Sequence, residues 1–509
     1  MALQKRKEHE LDTWLLFIDL VKAFDTVPRS ALWKVLAKYG VPPHLVKVIA
    51  AMNTDCSVKL DVDGKDIDIK YTIGVKQGDN LAPVLFLFYI QAAIDTLEKK
   101  WTFAKPEYST AEDDIFTGRN SSTDTTRCRL LNAMKFYFWC SLYADDAAIL
   151  FENKDDLAGG SRMLFDHLRR FGLKMHVGPI SNPKKSKSVF MYVHKASGSP
   201  SDGDRTPIPN VGGGVIPNVR KFKYLGSTIH ESLNDFTDVA SNIGKATGAF
   251  NLLKRCLFAS RDVEMKSKVT FYEGLILALL LYASECWTSY ASHLARLQRF
   301  HHDCVRTIAG VNRHVQWIRR ISMKALFKKT KLRPLELYIS RRKLRWAGHV
   351  MRMDMSRLPR RFFSSWIQKP RKRYGQWLTW GHAIRKQMDR NGLDRKQWSI
   401  QARDRLCWSE GTLRGRFKPR KSLRGRNVEI FYESGEVRAH QPYRRQRKRH
   451  TLYVETEEWF SGDVARETTN ANGDIEIDVR HDDGVFRYVL KKWRWRIPPP
   501  PPVTAPDDE

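Results

Sequence analysis

Leu142-Tyr143-Ala144-Asp145-Asp146-Ala147-Ala148-Ile149-Leu150 sets two adjacent carboxylates between apolar runs. Asp is a turn residue and is depleted within strands, so the pattern predicts a β-hairpin with the acids at its tip. Two neighbouring carboxylates repel and raise each other's pKa unless a cation lies between them. Hard oxygen donors of this kind suit Mg²⁺, which shares its shell readily with phosphate. A lone Asp-Asp pair would be an ordinary solvated turn. Here a second short apolar strand, Phe17-Ile18-Asp19-Leu20, carries another acid where acids are least expected, followed by Val21-Lys22-Ala23-Phe24-Asp25. Three carboxylates on neighbouring strands would make a two-metal site for in-line phosphoryl transfer.

The charge balance points the same way. The 509 residues carry 88 Lys+Arg against 56 Asp+Glu, a net charge of +32. Such an excess calls for a polyanionic partner, most simply nucleic acid. The apolar runs, Leu81 to Ala93 and Leu275 to Ala283, are too short to span a bilayer, so no membrane partner is expected. The seven cysteines are scattered with no CxxC pair, which suits a reducing compartment. His301-His302-Asp303-Cys304 lacks a second pair at metal spacing and is read as part of a structural helix.

Outward from the acids, residues 29–52 read as two helices with Ser30 capping the first. Val58 to Val62 and Ile67 to Tyr71 alternate around Asp63-Gly64, a hairpin signal. Gly74-Val75-Lys76-Gln77-Gly78-Asp79 is a polar turn before a helix over 81–100, and 154–171 reads as an amphipathic helix. Residues 104–127 and 195–219 read as loops. Leu275 to Ala283 is apolar all round and is expected to be buried.

The stretches FIDLVKAFDTV (17–27), GVKQGDNLAPVLF (74–86) and LYADDAAILF (142–151) resemble motifs A, B and C of reverse transcriptases, in the order and spacing of non-LTR (LINE-type) retrotransposons. The resemblance extends to about Trp408 and includes the Arg341-Arg342-Lys343-Leu344-Arg345-Trp346-Ala347-Gly348-His349 box. It implies an α+β fold: a right-hand polymerase palm, an antiparallel sheet with packed helices, then a helical thumb and connection. It also implies a fingers subdomain ahead of Asp19. Only 1–13 precede the Asp19 strand, so an N-terminally truncated polymerase is expected, with no endonuclease domain in view. The expected division is a disordered N-terminus at 1–13, palm at 14–230, thumb at 231–340, basic helical region at 341–409, basic linker at 410–450, a small barrel at 451–497 and a disordered tail at 498–509.

What the resemblance implies for the site follows residue by residue. Asp19 and Asp145 would bridge two Mg²⁺ ions, with Mn²⁺ as the substitute, while Asp146 and the Leu20 carbonyl add ligands. Phe24 would exclude a ribose 2′-hydroxyl, and Gly74, Gln77 and Gly78 would line the dNTP pocket. Lys185 would protonate the leaving pyrophosphate. Tyr143, with Tyr224, Leu225 and Gly226 of a following hairpin, would grip the DNA primer. Between Arg341 and Gly375, twelve Lys/Arg and one acid alternate with aromatics, so Arg341, Arg342, Arg345 and Trp346 are expected on an RNA template–primer surface.

Residues 410–450 include Lys418-Pro419-Arg420-Lys421 and Arg444-Arg445-Gln446-Arg447-Lys448-Arg449, fitting nucleic acid or a nuclear import receptor. A nuclear location, with a cytoplasmic ribonucleoprotein stage, is expected. Trp459 to Val464, Ile475 to Arg480 and Asp482-Asp483-Gly484-Val485 alternate like strands and are similar to a Tudor-like SH3-fold barrel, which could take a methylated peptide or chromatin in an aromatic cage. The alternative to an RNA-directed DNA polymerase is a catalytically inactive, retrotransposon-derived nucleic-acid-binding protein that keeps the same scaffold.

Overall fold

The structure is a computed structural model and describes residues 1–62, 65–76, 78–110, 134–195, 200–288, 290–368, 379–393 and 398–415, with strands between 427 and 496. It forms two compact units, one of Met1–Ser109, Lys135–Ser241 and Trp366–Trp377, the other of Thr110–Met134, Asn242–Ser365 and Leu378–Glu509. Through residue 230 the elements are α1 (Ala2–Glu8), β1 (Thr13–Ile18), α2 (Arg29–Lys38), α3 (Pro43–Met52), β2 (Ser57–Val62), β3 (Lys65–Lys70), α4 (Ala82–Glu98), β4 (Glu107–Thr110), β5 (Met134–Tyr137), β6 (Cys140–Tyr143), β7 (Asp146–Phe151), α5 (Lys154–Arg170), β8 (Val189–Val193), β9 (Ile208–Val211), β10 (Gly214–Ile216), β11 (Lys221–Tyr224) and β12 (Ser227–His230).

The first unit is built on a sheet ordered β6-β7-β1-β8, antiparallel throughout. All six residues of β1 are buried, because this central strand is covered on both faces. Trp14, Leu16 and Ile18 join the core with Phe86, Ile90 and Ile94 of α4 and Leu164 of α5. Leu15 and Phe17 face the other way with Ala148 and Met191, against Leu3 of α1 and Phe222 and Tyr224 of β11. A period-2 strand buried on both sides reads as one apolar run, which is why TWLLFI shows no alternation.

The structure corrects several sequence expectations. The N-terminus is not frayed: α1 is tied down by Arg6, whose guanidinium donates to Thr13 Oγ1 at 2.7 Å, Glu152 Oε1 at 2.5 Å and the Asp12 carbonyl at 2.8 Å. Helix α2 starts at Arg29 without a side-chain cap, so Ser30 does not cap it. Residues 208–216 are a hairpin, not a loop; Gly212 and Gly213 take the positive φ its turn requires, while Ile208, Val211 and Ile216 enter the core. The 275–283 run is only partly buried: Ile276, Leu277 and Leu280 are inside, but Leu275 and Tyr282 are exposed. The β2–β3 hairpin forms with Val62 opposite Lys65; its Asp63-Gly64 turn lies outside the described residues.

In the second unit the helix Leu335–Met351 is central. Its Trp346 ring sits 5.9 Å from Phe363 and 5.1 Å from Trp380. Gly348 is required by close packing: a Cβ there would meet Trp408 Nε1 at 2.2 Å, and that indole donates to the Leu344 carbonyl at 2.8 Å. His301 is held inside, its Nε2 2.9 Å from the Arg333 carbonyl and its Nδ1 2.8 Å from the Tyr272 hydroxyl. Farther along, five strands pair antiparallel in the order Gly484–Val489, Ile475–His481, Glu458–Thr469, Asn427–Tyr432, Trp495–Arg496, and the long strand carries a register shift between Val464 and Arg466. The strand content anticipated at 459–485 is present; Asp482 and Asp483 lie outside the described residues, as do 418–421 and 444–449. No helix among the described residues is long and apolar enough to cross a membrane.

Candidate active site

Strand β7 pairs with β1 so that Ile18 faces Ala147 and Phe17 faces Ala148. One step beyond the last pair stand Asp19 and Asp146, at the same end of two hydrogen-bonded strands. Asp145 precedes them in the β6–β7 turn, where Tyr143 pairs with Asp146 and Ala144 takes φ +52°. Asp145 also reaches the rim of an apolar cavity beneath the turn, lined by Ile18, Leu20, Ile90, Leu142 and Leu168. Partial burial, then the neighbouring charges of Asp145 and Asp19, push the Asp146 carboxyl above the ordinary carboxylate range. Asp146 thus feels both other acids, although among the described residues no three His, Cys, Asp or Glu side chains already close on a common point.

The backbone at Asp19 is pinned from β8 and the segment before it. Its amide donates to Ser188 Oγ at 3.1 Å, and its carbonyl accepts from the His176 amide at 2.9 Å and from Ser188 Oγ at 3.4 Å. Leu20 bridges to Met175 through the bonds of its neighbours, Val21 N to Lys174 O at 2.8 Å and His176 N to Asp19 O. The Leu20 carbonyl is thus left out of that ladder. The lysine that meets an acid is Lys187, its Nζ 4.0 Å from Asp19 Oδ2. Lys185 lies exposed on the 3₁₀ turn Pro183–Lys185. Sequence reasoning missed Lys187 and Ser188. The signal that could have found them is the alternation in Ser186-Lys187-Ser188: both serines turn inward and the lysine outward at the mouth of β8.

The turn after Asp19 is locked to the Gly74 loop. Val75 N donates to the Phe24 carbonyl at 2.8 Å and Gly74 N to the Val27 carbonyl at 2.9 Å. Gly74 has φ +83°, and a Cβ there would lie 2.7 Å from the Asp25 carbonyl oxygen, so both conformation and space demand glycine. Gly78 has φ +92° with open space around it. Gln77 lies outside the described residues. The Phe24 ring stacks on Phe86 of α4 with centroids 4.7 Å apart. A buried cation organises the whole corner: Arg29 donates from Nε to the Gly74 carbonyl at 2.8 Å and from Nη1 to the carbonyls of Asn53 at 2.5 Å and Tyr71 at 3.3 Å.

Tyr143 is exposed beside the acids. Leu225 and Gly226, with φ +49° and +82°, make the β11–β12 turn, and Tyr224 lies 5.6 Å from Phe17 under the sheet. Burial pushes the Tyr224 hydroxyl pKa up, with a hydrogen bond to Ser141 opposing it and the charge of Asp146 adding to it. The basic box is different from the expectation. Trp346 is half-buried in the aromatic core and Arg342 donates to the Leu281 carbonyl at 3.0 Å, so both serve packing rather than a base-stacking surface. Arg341 is half-buried and Arg345 is exposed.

Residues 2–229 match the family model described as reverse transcriptase (RNA-dependent DNA polymerase). The chain is 24% identical over 274 residues to a transposon-derived protein of Caenorhabditis elegans, covering 52% of this chain and 92% of that one. It is 23% identical over 300 residues to a retrovirus-related Pol polyprotein from the type-1 retrotransposable element R2 of Popillia japonica, covering 58% and 42%. Against a 115 kDa protein of the type-1 retrotransposable element R1DM of Drosophila melanogaster it is 29% identical over 181 residues, covering 35% and 17%. The chain therefore spans less than half of these two retrotransposon proteins. Among solved structures it is similar to telomerase from Candida tropicalis in complex with a fragment of telomeric RNA, at 13% identity and TM-score 0.32, covering 66% of this chain and 50% of that one.

Proposed function

We propose that the chain is an RNA-directed DNA polymerase of the non-LTR retrotransposon kind, extending a DNA primer on an RNA template with dNTPs. The observation that carries the reading is the side-by-side placement of Asp19 and Asp146 at the end of β1 and β7, with Asp145 in the adjoining turn. A carboxylate such as Asp146, whose pKa is raised by burial and by two neighbouring acids, suits a divalent cation, and an all-oxygen donor set fits Mg²⁺ or Mn²⁺. When bound, two such ions supply activation of the primer 3′-hydroxyl and neutralisation of the leaving pyrophosphate. The chain's own residues do the rest. Asp19, Asp145 and Asp146 would hold the ions, with Leu20 offering its carbonyl. Gly74 and Gly78 would let backbone approach the nucleotide, and Phe24, braced on Phe86, would block a 2′-hydroxyl. Tyr143 and the Tyr224–Gly226 turn support the primer end. Lys187, by its place near Asp19, is better positioned than Lys185 to meet a developing phosphate charge.

We further assign residues 451–497 to a Tudor-like barrel for a methylated, chromatin-borne peptide, and the chain to the nucleus through its basic 410–450 segment. These readings rest on sequence pattern; the observed sheet also takes in Asn427–Tyr432, from the segment read as linker.

Primer extension tests the main reading. Mg²⁺-dependent dNTP incorporation that vanishes in Asp145→Asn supports it; nucleic-acid binding without extension, in wild type and variant alike, replaces it with the inactive scaffold. That second reading draws on one observation: the Lys187 ammonium lies 4.0 Å from Asp19 Oδ2, where a metal ion would otherwise supply the positive charge.

A further inference from the structure

The exposed aromatic that the basic box lacks is found elsewhere in the helical unit. From Val311 to Lys331 there are seven Lys/Arg and no Asp or Glu. Within this stretch the short helix Arg313–Ile318 exposes Trp317 to 78% and Ile318 to 58%. The indole and the adjoining Ile318 make a contiguous exposed apolar patch, the kind that marks an interaction site when polar residues rim it. His314, Arg319, Arg320 and Lys324 are exposed around it.

The helix does not present Trp317 loosely. Asn312 caps it through Oδ1, which accepts from Val315 N at 2.7 Å. Arg313 grips Asp303 with two bonds of 2.7 Å, and Gln316 accepts from Arg306 Nε at 2.6 Å while donating to the Ile321 carbonyl at 3.0 Å. Positions 313 and 316 share one helix face, and that face is fastened to the helix Ala291–Ala309. Trp317, four residues after Arg313, stands at the edge of that face, and with His314 and Ile318 it is exposed to solvent. The Arg320 amide donates to the Trp317 carbonyl at 3.1 Å, which closes the turn that follows the helix.

We propose that Trp317, with His314, Arg319 and Arg320, is a binding site for single-stranded nucleic acid. An unpaired base stacks on the indole and the flanking phosphates meet the two guanidinium groups. Charge decides the occupant: a protein partner would have to bring an acidic, aromatic-seeking face, whereas a single strand offers a π-face and a phosphate at each nucleotide. The site lies outside residues 2–229 and is independent of polymerisation.

The test uses the full chain carrying Asp145→Asn, without dNTP, so that loss of the polymerase reading would leave it intact. Fluorescence anisotropy compares a single-stranded oligonucleotide with the same strand made abasic, and with a duplex. The expected result is a preference for the base-bearing strand that Trp317→Ala reduces by roughly tenfold, with duplex binding unchanged. Arg319→Gln and Arg320→Gln should each lower the slope of log K against log salt by about 1 for every strand. Equal losses for base-bearing, abasic and duplex ligands, or no loss, overturn the proposal. So does a concentration-dependent self-association that Trp317→Ala abolishes, which would make this face a contact between copies.

Discussion

At the residue scale the acids carry a tension that can be measured. Asp146 is held above its usual pKa by partial burial and by Asp145 and Asp19. A carboxylate whose folded pKa is raised costs stability when ionised, and the cost falls away as pH drops through the raised value. Without metal, Asp146→Asn should therefore raise the melting temperature slightly at pH 7. The same variant should lose most of the stabilisation that Mg²⁺ gives the wild type, since one oxygen ligand has gone. Differential scanning fluorimetry with and without Mg²⁺ reads both; a variant that gains nothing in the absence of metal would show that the repulsion is not felt. Divalent affinity should also weaken as pH falls toward the raised pKa. Phe24→Ala is expected to relax discrimination against ribonucleotides, read from the ratio of kcat/KM for dNTP and NTP, together with a packing loss from its contact with Phe86. These positions were legible in the sequence because acids inside apolar strands are conspicuous. Lys187 was not, because the alternation that turns it outward, Ser186-Lys187-Ser188, is only three residues long and follows directly on the 3₁₀ turn Pro183–Lys185 with its two further lysines.

At the scale of elements, the corner between the Asp19 strand and α4 hangs on Arg29. Its guanidinium collects the ends of α3, β3 and the Gly74 loop, three segments with few other reasons to meet. Arg29→Met leaves buried carbonyls without donors, a loss of about 1–3 kcal/mol for each group left unsatisfied. Hydrogen exchange at Gly74 and Val75 should accelerate, since their amides are fixed only while the loop stays on the Phe24–Val27 turn. In an active enzyme the KM for dNTP should rise more than kcat falls, because the loop positions the nucleotide and does not react. An equal fall in kcat with unchanged exchange would remove Arg29 from this role. Helices with clear periodicity, such as α4 and α5, were legible within two residues of their ends. The β9–β10 hairpin was hidden by composition: Gly, Pro and Asn dominate 207–218, and the few apolar residues that matter, Ile208, Val211 and Ile216, are recognisable as core only once the α5 face is there to receive them.

At the scale of the molecule, the net charge of +32 and a buried histidine both shape how the fold answers to acid, and salt separates them. Burial drives the His301 pKa down to about 4, with the nearby His302 adding to the effect. Its partners fix the neutral tautomer: Nε2–H donates to the Arg333 carbonyl, so Nδ1 accepts from the Tyr272 hydroxyl. The unfolded chain takes up a proton near pH 6.5 and the folded one does not until about 4. Between those values stability falls as pH falls, by up to about 1.4 kcal/mol per pH unit and on the order of 3 kcal/mol in all. General self-repulsion of the positive chain also grows in acid, but it acts through exposed charge and is screened by salt. Urea unfolding at pH 7, 6 and 5 should thus show a loss that persists at high salt in the wild type. In His301→Gln, which keeps polar partners but cannot titrate, the salt-resistant part should shrink. If added salt restores the wild-type stability fully at pH 5, the histidine is not the source and the charge of the whole chain is.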